Sequence, residues 1–136
     1  MSLKSDLWKW LEAYNARYRA FAGGLHSATA PQGTAFPYLV VRSTLALPPD
    51  ADTSSTVLQP RTLRFEVYAT SEAQAEALRL TVQHWIFDET FKPPYLRSIL
   101  KGADDLQQDP ERDHTAQEVW QGLLDITFFC QEELGA

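Results

Sequence analysis

Residues 62–74 constrain the fold more than any other stretch. Thr62-Leu63-Arg64-Phe65-Glu66-Val67-Tyr68-Ala69-Thr70 alternates, with Leu63, Phe65, Val67 and Ala69 on one face, the period-two pattern of a strand with one buried side. Arg64 and Glu66 fall on the other face, which therefore meets water or a polar partner. Ser71-Glu72-Ala73-Gln74 follows without a linker. It reads as a capping box in which the Ser71 hydroxyl and the Gln74 amide satisfy orphan amide hydrogens of a helix start. Ala75, Leu78, Val82, Trp85 and Ile86 then recur at helical spacing to about Asp88, and Pro93-Pro94 blocks any continuation. A strand delivered straight into an amphipathic helix requires a core shared between a sheet and a helix.

The remaining segments extend that pattern. Ser5 or Asp6 can cap a first helix placed at about 4–22. Its stripe is Leu7, Leu11, Tyr14, Tyr18 and Phe21, and Gly23-Gly24 is its expected stop. Trp8 and Trp10 fall off the stripe on different sides, which leaves at least one for solvent or a neighbouring chain. A short strand at 25–28 and a loop shaped by Pro31, Gly33 and Pro37 lead into a strand from Tyr38 to Leu45. Three prolines, two aspartates and a Ser/Thr cluster mark residues 46–60 as a loop or extended hairpin arm. Leu96–Leu100 reads as a short strand, and the polar, acidic 102–117 segment as a loop. A last strand at 118–130 puts Trp120, Gly122, Leu124, Ile126, Phe128 and Cys130 on one face. Its other face mixes Asp125 and Thr127 with Val119, Leu123 and Phe129, as expected of a strand that is central or covered by another subunit. The order predicts an α+β fold, a mainly antiparallel sheet with two helices on one face, as a single domain over 1–136.

With 136 residues, 44% of them hydrophobic, the chain is long enough for one core. Its 18 acidic residues exceed 12 Lys plus Arg, which weighs against nucleic acid or an anionic membrane as the main partner. Arg17 and Arg19 flank Tyr18, too small a basic patch to alter that. Residues 1–6 lack the apolar run of a signal peptide, and no window approaches the about eighteen apolar residues of a membrane span, so a soluble intracellular chain is expected.

Catalysis finds little support. Cys130, the only cysteine, lies within the apolar alternation of the last strand and reads as a small buried hydrophobe. No Gly-x-Ser-x-Gly elbow, phosphate loop or His-Glu-x-x-His occurs. His26, His84 and His114 are isolated in sequence. Asp104, Asp105, Asp109, Glu111, Asp113, His114 and Glu118 are dense enough in oxygen donors to suggest a hard cation. Their spacing matches no EF-hand, and a solvated acidic loop accounts for them better. No enzyme activity, cofactor or metal is expected.

Ala30-Pro31-Gln32-Gly33-Thr34-Ala35-Phe36-Pro37-Tyr38-Leu39-Val40-Val41 resembles a recurrent segment of tailed-bacteriophage tail-terminator proteins, also called tail-completion or head–tail joining proteins. Phe65-Glu66-Val67-Tyr68-Ala69-Thr70 running into a Ser-Glu-Ala-x-Ala helix agrees with it. So does the final Val119-Trp120-Gln121-Gly122-Leu123-Leu124-Asp125-Ile126, in the same order along the chain. The departures are the long 46–60 insertion and the 102–117 loop, where such proteins vary. The resemblance implies a structural phage or prophage protein. It would form a ring, typically of six copies, cap the completed tail tube and present the surface onto which the head docks. Its partners would be other copies of itself, the tail tube protein and the head–tail connector, with no sequence-specific nucleic acid and no membrane. Its place would be the tail or neck of the virion, and the bacterial cytoplasm during assembly.

A ring needs a heterologous interface whose rotation closes. The candidate subunit or partner contacts are Trp8, Trp10, Gln32, Thr34, Phe36, Arg64, Glu66, Trp120 and Phe129. The net charge of −6 suits a lumen through which DNA slides, because like charge repels phosphate. Three other readings remain open at this point: a neck or connector protein on the head side of the joint, a metal-binding or enzymatic module built on the 104–118 acidic cluster, and a generic adaptor module with no viral role.

Overall fold

The computed structural model describes residues 3–43, 58–87, 91–108 and 119–131. Its elements run α1 (Leu3–Tyr18), β1 (Leu25–Ser27), β2 (Tyr38–Ser43), β3 (Leu58–Ala69), α2 (Glu72–Phe87), β4 (Leu96–Gln108) and β5 (Trp120–Gln131). The five strands form one sheet in the order β1-β2-β3-β5-β4. β1 pairs parallel with β2, and every other pairing is antiparallel. The fold is α+β, as the strand-to-helix pattern requires.

The 62–74 junction is built as its residues dictate. Ser71 precedes the helix, and its hydroxyl accepts the Gln74 amide hydrogen at 3.2 Å. The Gln74 side chain reaches back one residue further than expected, accepting from the Thr70 amide at 3.4 Å. Ala75, Val82, Trp85 and Ile86 are buried, while Leu78 is half-buried. β3 and β4 run parallel with β5 between them, so α2 crosses over the sheet and lies on β3, β5 and β4. The helix comes close to the strand at Gly122. A side chain there would begin 3.1 Å from the Ala75 carbonyl oxygen, so the glycine lets the helix backbone approach the strand.

One cluster joins the helices to a single sheet face. Leu3, Leu7 and Leu11 of α1 and Val82, Trp85 and Ile86 of α2 pack with Leu39 and Val41 (β2), Leu63, Phe65 and Val67 (β3), and Leu124, Ile126, Phe128 and Cys130 (β5). β5 alternates without a break, each even-numbered residue from Gly122 to Cys130 buried and each odd one half-buried, the pattern expected from its sequence.

Several boundaries depart from the sequence reading. α1 begins at Leu3, so Ser5 and Asp6 lie inside its first turn instead of capping it. Asp6 there accepts the Tyr95 hydroxyl at 2.6 Å. α1 also ends at Tyr18, not near residue 22. Arg19 takes a left-handed φ of 53°, its amide bonds Asn15 O, and the Asn15 side chain clasps the Phe21 backbone at 2.8 and 3.3 Å. The asparagine thus ends the helix, while Gly23 and Gly24 serve the turn into β1. Gly23 N–H donates to Pro37 O, and Leu39 N–H to Gly24 O.

A further departure is β4, which continues through residues 102–108, read as loop. The segment lacks apolar alternation because β4 is the outermost strand and is exposed along most of its length. Register shifts interrupt its pairing at Leu96/Ser98 and Lys101/Asp104. Similarly, residues 58–60 of the expected arm belong to β3, with Leu58 opposite Gln131. The rest of the arm, 46–57, and residues 109–117 lie outside the described residues.

Candidate interaction surfaces

The sheet face away from the helices carries a line of polar side chains ordered by cross-strand partners. Glu66 is the one buried charged residue described, 6% exposed. Its carboxylate accepts from Arg42 Nε at 2.8 Å and from the Tyr68 hydroxyl at 3.1 Å. Gln121 Nε2 donates to the Tyr68 hydroxyl at 2.8 Å, and Gln107 Nε2 donates to Gln121 Oε1 at 2.8 Å. The chain of bonds crosses β2, β3, β5 and β4 in sheet order. A buried carboxylate is tolerated only when paired and hydrogen-bonded, and these residues meet that condition within one subunit. Beside it, Arg64 grips Asp125 with two bonds, 2.9 and 3.2 Å. Both partners are partly exposed, so the pair adds about 1 kcal/mol or less. Thr62 and Thr127 share a 2.8 Å hydroxyl bond in the next row.

One end of this face is roofed. Phe36 from the 28–37 loop lies on Tyr38, 5.4 Å between ring centroids, and Tyr38 stacks on Tyr68 at 4.9 Å. With Val40 and Val119 they form a second small cluster. The other end, around Thr62, Thr127, Phe129 and Leu100, carries no described covering element, and Leu100 is 59% exposed.

The nine sequence candidates do not form one patch. Arg64, Glu66 and Phe129 share the open sheet face, with Phe36 at its roofed end. Glu66 and Arg64 spend their charge on partners inside the subunit. Thr34 turns its hydroxyl onto Pro31 O at 2.6 Å, holding the loop, while Gln32 is exposed. Trp8, Trp10 and Trp120 lie toward the helix side and are half-buried. Trp10 is anchored within the chain, its indole donating to Trp85 O at 2.8 Å. On β4, Asp104 is held by Lys101 at 2.7 Å and Arg79 at 2.9 Å. The Lys101 hydrogen bond, above all, lowers its pKa below the usual range. Among the described residues no three His, Cys, Asp or Glu stand together as a metal site, and no described helix is long and apolar enough to cross a membrane.

A surface that the periodicity misassigned lies at the end of α1. Tyr18 continues the buried stripe in sequence, yet it is 54% exposed because the helix ends there. Its ring stacks on Tyr14 (6.1 Å) and Trp85 (6.4 Å), and Arg17 lies 5.2 Å above it. Asn15 six residues before Phe21 was the available signal, since asparagine favours local backbone bonds at helix ends.

The Tyr68 network yields a pH prediction. Burial, then the neighbouring Glu66 charge, pushes the Tyr68 phenol up to about 12. Below pH 10 the phenol is neutral in folded and unfolded chains, and its contribution is fully present. Between about 10 and 12 the unfolded chain ionises first, so stability falls as pH rises, by of order 2 kcal/mol. Urea unfolding at pH 9 and 11.5 should show wild type losing that much more than Tyr68→Phe. Equal losses would contradict the assignment.

No family model matches the chain, and no curated protein matches it. Solved structures that share its fold include the following two. A chain of the virion of a native gene transfer agent particle superposes with a TM-score of 0.71 at 13% identity, over 96% of each chain. The bacteriophage SPP1 gp17 protein superposes with a TM-score of 0.54 at 15% identity, over 97% of this chain and 90% of that one.

Proposed function

We propose that this chain is a structural component of a tailed phage, prophage or related particle. In this reading it caps the finished tail tube as a ring of copies and offers the surface onto which the filled head docks. What carries the reading is the shared fold with a virion chain over 96% of both chains, and the SPP1 protein adds a second phage relative in fold. The Pro31–Pro37 loop, the strand-to-helix junction and the final strand fall in the order that the tail-terminator resemblance requires. The polar side chains of the open sheet face bond one another across strands, which suits a structural role. Net negative charge on each copy would keep transiting DNA from adhering to the ring.

The test is length control. Tube protein of the same element, polymerised in vitro with this chain at a few per cent molar ratio, should stop at shorter lengths with the chain on one end. Unchanged tube length and no end-bound protein would contradict tube capping, and binding to the isolated connector alone would favour the head-side neck reading.

A further inference from the structure

The two ends of α1 lead toward opposite edges of the sheet. Near its start, Asp6 bonds Tyr95, the residue before β4. After its end, the chain turns within seven residues into β1 at Leu25, and β1 and β4 are the opposite edges of the sheet. A helix of this length covers about 24 Å, and five strands measure about 19 Å edge to edge, so α1 is long enough to reach from one flank of the subunit to the other.

The flanks differ in chemistry. The end of α1 that leads into β1 presents Arg17, Tyr18 and Arg19, all exposed. Neither arginine has an acidic partner among the described residues. The corner is rigid: Tyr18 is fixed by two stacked rings, and Arg19 by its left-handed backbone and its bond to Asn15 O. The β4 flank presents a strand whose outer edge no described strand pairs, with Leu100 59% exposed. Its cations are occupied, Lys101 on Asp104 and Arg97 on Gln131 and Pro94 O. Asp104 is likewise taken, while Asp105 is exposed and, among the described residues, accepts from the Leu106 amide.

We infer that the Arg17–Tyr18–Arg19 corner of one copy docks on the β4 flank of the next, its guanidinium groups meeting Asp105 and Tyr18 covering Leu100. Exposed Tyr and Arg on a rigid base are the side-chain types that dominate interface energetics. Two different, complementary patches on one subunit make a head-to-tail contact, the kind that closes into a ring. The inference rests on the ring reading above and names the surfaces that would form it.

The test is charge exchange in the source element. Its own copy of the gene is deleted and replaced by the wild type, R17E/R19E, D105R, or the triple variant, and joined head–tail particles are counted. Melting temperatures of the purified variants check folding. Each reversal should lower the yield roughly ten-fold or more, since juxtaposed like charges are strongly unfavourable, and the triple variant should recover most of it. Folded reversal variants that join heads and tails as well as wild type would overturn this interface and leave the ring reading standing. Losses that the triple variant does not repair would overturn the Arg–Asp105 pairing. Normal particles without any copy of the gene would overturn the ring reading and this inference with it.

Discussion

Replacing Phe128 by Ala should lower the free energy of unfolding by about 3–5 kcal/mol. The side chain is fully buried on β5 and meets Phe91 edge-on at 6.3 Å. β5 is hydrogen-bonded to β3 on one side and β4 on the other, so the walls around the vacated volume are held apart and close in poorly. That places the cost toward the upper part of the range, a large share of the about 5–15 kcal/mol that a domain possesses. Phe129, the next residue, faces the half-exposed side and should cost about 1.5 kcal/mol or less when truncated. Urea unfolding of both variants checks the pair. Similar losses at 128 and 129 would mean that the two faces of β5 are not as unequal as described.

Gly23→Ala should be as damaging by a different mechanism. A methyl group at Gly23 would overlap the Ala35 carbonyl oxygen and stand 3.0 Å from Tyr38 Cβ. The obstacle is backbone, which no side-chain rotation relieves, and the Gly23 amide is bonded to Pro37 O. Relief requires moving the 28–37 loop off the sheet, so about 3 kcal/mol or more is expected, beyond ordinary overpacking. Gly24→Ala is the control. Its φ is +83° with open space around it, so it should cost only the about 1–2 kcal/mol of a left-handed alanine. Amide exchange at Leu39, whose N–H bonds Gly24 O, should accelerate far more in Gly23→Ala than in Gly24→Ala. Equal protection in both would contradict the close approach.

The elements legible in the sequence are those whose burial is one-sided. β3 and β5 alternate because one face meets both helices, and α2 announces itself through Ser71 and Gln74, whose bonds are local. β4 was legible only in its first five residues. An exposed edge strand has no inside, so Gly102-Ala103-Asp104-Asp105 reads as loop although its backbone pairs with β5. The end of α1 was misplaced for a related reason: the stripe from Leu7 to Phe21 holds in sequence, but Asn15 diverts the chain at Arg19 and leaves Tyr18 outside. Among the candidate contacts, residue type pointed to Trp10 and Glu66 as available surface. Sequence spacing carries no trace of Trp85 O or Arg42, the partners that engage them. The Arg17–Tyr18–Arg19 corner was visible as residues, and its exposure depends on where α1 ends.

The most direct test of the tail-capping account is negative-stain electron microscopy of particles from the source element with this gene deleted. The account predicts overlong or ragged tails beside filled, unattached heads, with normal joined particles restored by the wild-type gene. Particles of normal tail length with heads attached, in the absence of the protein, would contradict it.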